Sequence, residues 1–532
     1  MRSATRPVSP SVGTADVSAA RSASMVTAMS VTGHGNRPTV LTLMAAACAL
    51  LVVGASVGFT SSTDDAREPV RRGASPFATP AKALDVVPAS SPVGSALGTS
   101  RRLYRSAPVV VVAPSADPAA QGLAARAAEQ LRAPMLLDGP DTAEEIARLQ
   151  ARRVLAVGAV RKLSDSVAVG ATSSAVDAAV ESARRAHRVP SPQANDVIVL
   201  TRSVTANLAA VTTARNAGAT VLPVPDADPR SAPRAAQVLR DRPRTPVIAL
   251  GTPFARSLGY TLSVVRDGAT QPGGGYLLFR NRHLVALYGH PGSAALGVLG
   301  EQGVTKSVRR AKVVASRYAR YTDRPVVPTF ELIATIASAG AGRDKDYSAE
   351  ASVKTLRPWV DAARKAGMYV ILDLQPGRSD FLKQAKRYRS LLREPHVGLA
   401  LDPEWRLKKE QKPLQQIGSV SIGEVNRTSD WLARLTRKYR LPQKAFVLHQ
   451  FSTSMIRNRS RLVTTHPELA TVVHVDGQGT QGEKMGTWKA IRRGLPDGVA
   501  FGWKNFYDED KPIRSPRKTW AVRPRPDLIT YQ

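Results

Sequence analysis

The C-terminal half of the chain alternates apolar runs with amphipathic stretches. Helical periodicity is visible at 352–367, 381–394 and 424–440, and each of these stretches lies between short runs rich in Val, Ile, Leu and Phe. Seven such runs occur, in the segments HLVALYGHPG, PVVPTFELIA, MYVILDLQPG, VGLALDPEW, AFVLHQFS, ATVVHVDGQG and GVAFGWKNFYDED. Seven strand-then-helix units in about 260 residues predict a TIM-like (β/α)8 barrel over 273–532. The terminal LITYQ either supplies the eighth strand or forms a tail.

An earlier region, 105–265, has the same alternation in a repeated form. Ala107–Val160 has the order strand, helix, strand, helix, strand, and Asn195–Gly251 repeats that order with nearly the same spacing. Continuous β-branched runs between amphipathic helices are typical of buried parallel strands. The pattern predicts a doubly wound α/β domain of about 150 residues.

The segment APMLLDGPDTAEEIARLQARRVLAVGAV carries a resemblance to a known family. Its apolar strand, short acidic turn, helix and V-x-x-V-G strand resemble the cell wall-binding repeats of exported bacterial surface proteins. That family usually carries three repeats, and two are visible here. The resemblance implies residence in, or attachment to, the cell wall. The alternative is a generic α/β layer, and neither unit has a Gly-rich phosphate loop that would indicate a nucleotide.

An uncharged apolar run of 21 residues, Thr39–Phe59, is long enough to span a bilayer as a helix. Residues 1–38 before it contain four arginines and one acid, so the positive-inside rule predicts a cytoplasmic N-terminus and extracytoplasmic C-terminal domains. We interpret the run as a transmembrane helix or signal anchor. A cleaved signal peptide, which would give a secreted protein, is the alternative. Residues 60–104, rich in Ser, Ala, Pro, Gly and Arg, are expected to form a disordered linker.

The charge balance is strongly basic, with a formal net charge of +33. A charge of this size predicts attraction to polyanions. For an exported protein these are cell-wall polysaccharide, another anionic envelope polymer or lipid headgroups, and the absence of nucleic-acid motifs argues against nucleic acid. The only cysteine, Cys48, lies inside the apolar run, so the exported part contains no disulfide. The sequence leaves the oligomeric state open.

The candidate chemistry lies at the ends of the seven apolar runs. In a barrel of this type functional residues occupy the C-terminal ends of the strands. In order these ends carry Tyr288 and His290; Glu331; Asp373 and Gln375; Asp402, Glu404 and Trp405; His449 and Gln450; Asp476 and Gln478; and Trp503, Lys504, Tyr507 and Asp508. Several carboxylates interleaved with aromatic rings are what sugar chemistry requires, because carboxylates move protons and flat rings stack on pyranoses.

The stretch VGLALDPEW is similar to the L-D-x-E strand ends of glycoside hydrolase barrels. If the strand continues, Asp402 and Glu404 lie on the same side of it, since strand side chains alternate. The resemblance implies Glu404 as the general acid and Asp402 as its neighbour, with Asp373 or Asp476 as the second carboxylate. The other strand-end residues from Tyr288 to Tyr507 are then candidates for substrate binding. Structural alternatives stay open, with Asp373 as a helix cap, Asp476 in the DGQG turn and His449 as a hydrogen-bonded core residue.

Two hypotheses follow. The first is a membrane-anchored hydrolase of wall polysaccharide, and the second is a non-catalytic wall-binding or scaffold protein with a barrel that holds glycan without cutting it. The eight histidines show no H-E-x-x-H or other metal-ligand spacing, so we expect neither a metal nor a cofactor. No convincing S-x-x-K or G-x-S-x-G motif supports hydrolysis through a serine.

Overall fold

The computed structural model of the chain describes residues 75–191 and 195–532. The expected cytoplasmic segment 1–38, the expected membrane span 39–59 and the first part of the expected linker lie outside the described residues. No helix in these two ranges is both long enough and apolar enough to cross a bilayer.

The described chain is a mixed α/β structure. Its strands are β1 (Leu84–Val87), β2 (Val109–Ala113), β3 (Met135–Leu137), β4 (Arg153–Val157), β5 (Ser166–Val169), β6 (Ile198–Thr201), β7 (Thr220–Pro223), β8 (Val247–Leu250), β9 (His283–Gly289), β10 (Val326–Ala337), β11 (Ser348–Glu350), β12 (Tyr369–Leu374), β13 (Val397–Leu401), β14 (Val420–Ser421), β15 (Lys444–Gln450), β16 (Ile456–Arg457), β17 (Leu469–Val475), β18 (Ala500–Asn505) and β19 (Leu528–Tyr531). Its α-helices are α1 (Pro92–Leu103), α2 (Pro118–Leu131), α3 (Thr142–Arg148), α4 (Ser173–Ala186), α5 (Leu208–Asn216), α6 (Pro233–Asp241), α7 (Leu258–Asp267), α8 (Val304–Ala319), α9 (Val353–Lys365), α10 (Phe381–Arg387), α11 (Arg389–Leu392), α12 (Ile422–Lys438), α13 (Gln481–Ile491) and α14 (Pro516–Trp520).

The C-terminal region is a closed barrel of eight parallel strands. Their order is β9, β10, β12, β13, β15, β17, β18 and β19, and β19 pairs with β9 to close the ring. In that last pairing Ile529 lies opposite Val285. The expectation of a TIM-like barrel is therefore confirmed, and LITYQ supplies its eighth strand. The short strand β11 pairs antiparallel with the end of β10.

The barrel interior is apolar over the N-terminal half of its strands. The residues that fill it come from alternate positions of the strands, and include Leu284, Ala286, Val327, Tyr369, Ile371, Ala400, Ala445, Val447, Val472 and Leu528. Gly398 makes room in this layer, because a Cβ there would lie 3.0 Å from the hydroxyl of Tyr369 and 2.8 Å from the carbonyl oxygen of Ala445. The helices pack on the outer face of the strands through a separate apolar cluster.

The region before the barrel contains two four-stranded parallel sheets, with orders β3-β2-β4-β5 and β1-β8-β6-β7. The alternation of strands and helices expected here is present in both. The second sheet recruits β1 from far upstream in the chain, since Leu84–Val87 pairs in register with β8.

Residues 75–104 differ from the disordered linker that was expected over 60–104. Residues 84–103 form β1 and α1, and the side chain of Ser91 caps α1 by accepting a hydrogen bond from the N–H of Gly94. The small residues that suggested disorder instead form a close-packed helix face, since Ser95, Ala96, Thr99 and Ser100 are buried, and α1 packs against α5. Composition alone missed this because small residues serve tight helix packing as well as linkers.

The sheets and the barrel form one compact unit from Ser75 to Gln532. The hydroxyl of Tyr260 in α7 donates to the carbonyl oxygen of Leu441 at 2.8 Å, and the Arg230 guanidinium donates to that of Pro467 at 2.7 Å. Leu441 and Pro467 lie in the segments that lead into β15 and β17. The contacts therefore lie at the N-terminal end of the barrel, opposite the strand ends that carry the candidate chemistry.

Candidate functional site

Polar side chains replace apolar ones in the barrel interior towards the C-terminal ends of the strands. In most strands a polar residue lies two positions after an apolar interior residue and therefore on the same face of the strand. The group consists of Tyr288, Glu331, Asp373, Asp402, His449, His474, Asp476, Lys504 and Thr530, all of them buried. The expected convergence of strand ends thus holds for Tyr288, Glu331, Asp373, Asp402, His449, Asp476 and Lys504.

His449 lies at the centre of this group. Its Nε2 is 2.9 Å from Oε1 of Glu331, and its Nδ1 is 3.2 Å from Oδ2 of Asp476. Oδ1 of Asp373 lies 3.9 Å from the same Nε2. Both ring nitrogens therefore face carboxylates, an arrangement that favours the imidazolium form, in which each nitrogen donates.

The pKa values around His449 follow from this geometry. Burial opposes charge on His449, but Glu331 and Asp476 outweigh it and raise its pKa well above the usual value. Burial likewise opposes ionisation of Glu331, yet the charge and hydrogen bond of His449 lower the pKa of that carboxyl to about 2. Glu331 and His449 are thus a buried ion pair at neutral pH.

Asp373 and Asp402 have the opposite tendency. Burial raises the pKa of Asp373 to about 6, although His449 acts against the shift. Burial, followed by the nearby charge of Asp373, raises the pKa of Asp402 well above its usual value. Burial therefore raises the pKa of both neighbouring carboxyls, and the charge of Asp373 adds to the shift of Asp402, which favours the neutral form at Asp402.

Asp373 is also hydrogen-bonded on one side. The hydroxyl of Tyr288 donates to its Oδ2 at 2.8 Å, and the side-chain amide of Gln375 donates to the same hydroxyl at 3.2 Å. The ammonium group of Lys504 lies 3.7 Å from the centre of the Tyr288 ring, within cation–π distance. Tyr288, Gln375 and Lys504, which the sequence predicted at strand ends, thus surround Asp373.

Two members of the cluster were not predicted from the sequence. Thr530 donates to Oε2 of Glu331 at 3.0 Å, and its hydroxyl is 2.7 Å from Nε2 of His474. The His474 ring stacks on His449 with centroids 4.9 Å apart. Burial and the charge of His449 lower the pKa of His474 to about 3, so it is neutral. His474 could have been predicted from strand alternation, because it lies two residues before Asp476. Thr530 could have been predicted only if LITYQ had been assigned as a strand.

Asp402 and Glu404 do not lie side by side on a continuous strand. β13 ends at Leu401, and Pro403–Trp405 forms a 3-10 turn. The side chain of Asp402 accepts a hydrogen bond from the N–H of Glu404 at 3.3 Å. Asp402 points into the barrel, while Glu404 and Trp405 are half-buried at the turn. Pro403 is the physical reason, because proline cannot continue a ladder and is well suited to the first position of such a turn.

The aromatic residues of β18 differ from the expected platform at the barrel mouth. Trp503 alternates with Lys504 and therefore faces outward, where it packs against Trp488 with ring centroids 5.5 Å apart. Tyr507 is 38% exposed and stacks on Tyr531, with centroids 5.6 Å apart. Within the described residues, neither ring forms a hydrogen bond or a ring contact with the His449 cluster. Trp503 acts as a packing residue.

Three further predicted residues have peripheral positions. Nδ1 of His290 lies 2.9 Å from the carbonyl oxygen of Ile333, and the side-chain amide of Gln450 donates to that of Ser452 at 3.4 Å. Gln478 is partly exposed in the loop after β17. These residues border the cluster, and within the described ranges none of them forms a hydrogen bond to its carboxylates.

A second buried ion pair lies beside the cluster and was also missed. Nζ of Lys484 in α13 is 2.8 Å from Oδ2 of Asp510 and donates to the carbonyl oxygen of Lys504 at 2.8 Å. It holds the FYDED segment against the end of β18. Its role is to fix the backbone next to Lys504.

Comparisons with protein families, with curated proteins and with solved structures found no match to this chain.

Proposed function

We propose that the barrel is a glycoside hydrolase-like enzyme that acts on cell-envelope polysaccharide. The observation that carries this proposal is the pair of buried carboxyls Asp373 and Asp402, in which the charge of Asp373 raises the pKa of Asp402 further. A carboxyl with a strongly raised pKa beside a second carboxyl supplies the two kinds of group that glycoside hydrolysis uses, a proton donor and a nucleophile or base. In a TIM-like barrel such groups act from the C-terminal ends of the strands, where both residues lie.

In this proposal Asp402 donates its proton to the leaving glycosidic oxygen, and Asp373 either attacks the anomeric carbon or activates a water. This assignment changes the expectation from sequence, in which Glu404 was the donor. Glu404 then serves at the turn that orients Asp402 or takes part in substrate binding. His449, with Glu331 and Asp476, acts as a positioning group that fixes the electrostatic environment of Asp373.

Features outside the barrel support an envelope location for the proposed enzyme. The uncharged run 39–59 with its basic flank favours export with anchoring, or secretion if the run is cleaved. The resemblance of the first repeat to cell wall-binding repeats and the net charge of +33 both favour an anionic wall polymer as the partner.

The test is release of reducing sugar from purified wall preparations. We expect Asp402→Asn and Asp373→Asn each to lower the rate about 100-fold or more, which is the typical contribution of an acid or base. Glu404→Gln distinguishes the two candidate donors, because a loss as large as that of Asp402→Asn would return the donor role to Glu404. Glu410→Gln, an exposed acid in the following loop, is the matched control. Unchanged release in all three site variants would refute the proposal.

One observation favours the second candidate, a non-catalytic glycan-binding or scaffold protein. Glu331, Asp373 and His449 are completely buried, and Trp503 faces away from the interior. A buried cluster whose members are largely hydrogen-bonded to one another is also what a polar structural core looks like. For this function, wall pull-down should survive the double change Asp402→Asn and Glu404→Gln, and no glycan should be turned over by the unaltered protein.

A further inference from the structure

The loop between β10 and β11, together with the last residue of β11, brings three carboxylates together outside the His449 cluster. Asp344, Asp346 and Glu350 come from the segment RDKDYSAE. Each offers one carboxylate oxygen, and these oxygens lie within 4.8 Å of one another. Three acids this close repel one another unless a positive charge lies between them.

Asp346 supplies an independent observation. The residue is only 7% exposed, and one of its carboxylate oxygens accepts a hydrogen bond from the N–H of Ser348 at 2.9 Å. The other, Oδ2, is buried and has no hydrogen-bond partner among residues 75–191 and 195–532. A buried carboxylate oxygen without a donor or cation costs several kcal/mol in desolvation. The position therefore calls for a ligand.

The positive side chains nearby do not neutralise this oxygen. Arg387 approaches Glu350 at 3.7 Å, but its side chain is 52% exposed and therefore well solvated. Within the described parts of the chain, the ion pair at this group is the one between Arg387 and Glu350, and neither Asp344 nor Asp346 forms one. Most of the negative charge at the centre of the group lacks a counter-charge.

We infer that Asp344, Asp346 and Glu350 bind a hard divalent cation, with calcium preferred. Calcium takes six to eight oxygen ligands in flexible geometry, several of them carboxylates, whereas magnesium usually keeps several waters and binds through only one or two carboxylates. A group of three carboxylates therefore fits calcium better. Asp344 is exposed, which gives the ion an entry path and leaves room for water ligands.

This site is linked to the candidate active site by a short series of hydrogen bonds. The hydroxyl of Ser348 donates to the carbonyl oxygen of Gln375 at 2.9 Å, and the side chain of Gln375 donates to Tyr288 at 3.2 Å. Tyr288 in turn donates to Asp373. A cation on Asp346 would fix the loop that supports Gln375. The inference does not depend on the proposed hydrolase, because binding is measured without turnover.

The experiment is isothermal titration of the full chain, stripped with a chelator, with calcium chloride and separately with magnesium chloride. We expect one calcium site per chain and weaker binding of magnesium. Asp344→Asn should weaken calcium binding at least tenfold without disturbing the fold, because its side chain is exposed. Asp346→Asn should abolish binding, and Glu410→Gln should leave it unchanged.

Far-UV circular dichroism of each variant checks that the chain is folded. If Asp346→Asn fails to fold, Asp344→Asn alone decides the test. The absence of a calcium heat with the unaltered chain would overturn the inference, as would undiminished binding by Asp344→Asn. A calcium site with no glycan hydrolysis would leave the inference standing and refute only the proposed enzyme.

Discussion

The two halves of the barrel interior are built from the same strands and differ in chemistry. Ile371 and Val447 lie in the apolar half, and two residues further along the same strand faces lie Asp373 and His449. One half stabilises the barrel by burial of apolar area, and the other holds charges that are stable only as a paired network. A fold can therefore contain a polar cluster that is costly to bury when an apolar layer of the same strands stabilises the barrel.

The largest effect is expected from breaking the polar half at Glu331. In Glu331→Ala, His449 keeps a buried positive charge with one carboxylate partner removed, and Thr530 loses its acceptor. We expect a loss of about 3–5 kcal/mol in the free energy of unfolding, measured by urea denaturation. Glu331→Gln, which keeps the size and one acceptor, should lose less. A loss below about 1 kcal/mol for the alanine variant would show that the pair is not integral to the barrel.

A substitution in the apolar half should lower the stability of the fold without changing the chemistry of the cluster. Ile371→Ala removes a fully buried interior side chain, and large-to-small changes of this kind cost about 2–5 kcal/mol. We expect about 3 kcal/mol in the same urea experiment, with glycan binding or turnover retained in the folded protein. Ile371→Val serves as the milder control. Loss of function in a folded Ile371→Ala protein would contradict the division between the halves.

The third expected effect concerns pH and His474. Its folded pKa of about 3 lies below its usual 6.5, so the folded state excludes a proton that the unfolded state binds. The resulting stability is complete above pH 6.5 and is lost as the pH falls towards 3. Between pH 7 and pH 5 we expect the unaltered chain to lose about 2 kcal/mol more than His474→Gln. Parallel losses in both proteins would show that His474 is protonated in the fold.

The sequence predicted the barrel well because its signal is repeated. Seven apolar runs at regular spacing are hard to obtain by chance, and their polar ends identified most of the buried cluster, including Glu331, Asp373 and His449. The prediction of the site failed at two places where a single residue decides which way the chain or a side chain points. Pro403 turns the chain after Asp402, so the two acids of VGLALDPEW diverge. Trp503 faces outward because it is adjacent to the inward-facing Lys504 on β18, and adjacent residues of a strand point to opposite faces.

Other features could not be predicted from local pattern at all. The pairing of β1 with β8 joins segments about 160 residues apart, and no local signal specifies such a partner. The opposite pKa shifts of Glu331 and Asp373 depend on which carboxylate lies nearer to His449 in space. The grouping of Asp344, Asp346 and Glu350 depends on the loop conformation that buries Asp346.

The smallest effect is expected at the boundary between the two halves. Tyr288 is the first polar residue above Ala286 on β9, and its hydroxyl links Asp373 to Gln375. Tyr288→Phe keeps the ring under Lys504 and removes only the hydroxyl, so we expect a loss of about 1–2 kcal/mol in unfolding free energy. Loss of this donor should also raise the pKa of Asp373, because a hydrogen bond to the ionised carboxylate favours ionisation. If Asp373 acts in its ionised form, the acidic limb of the pH–rate profile should shift to higher pH in this variant. Tyr507→Phe, which removes a hydroxyl outside the cluster, should leave the pH–rate profile unshifted, and an unshifted profile in Tyr288→Phe would separate Asp373 from the rate-limiting chemistry.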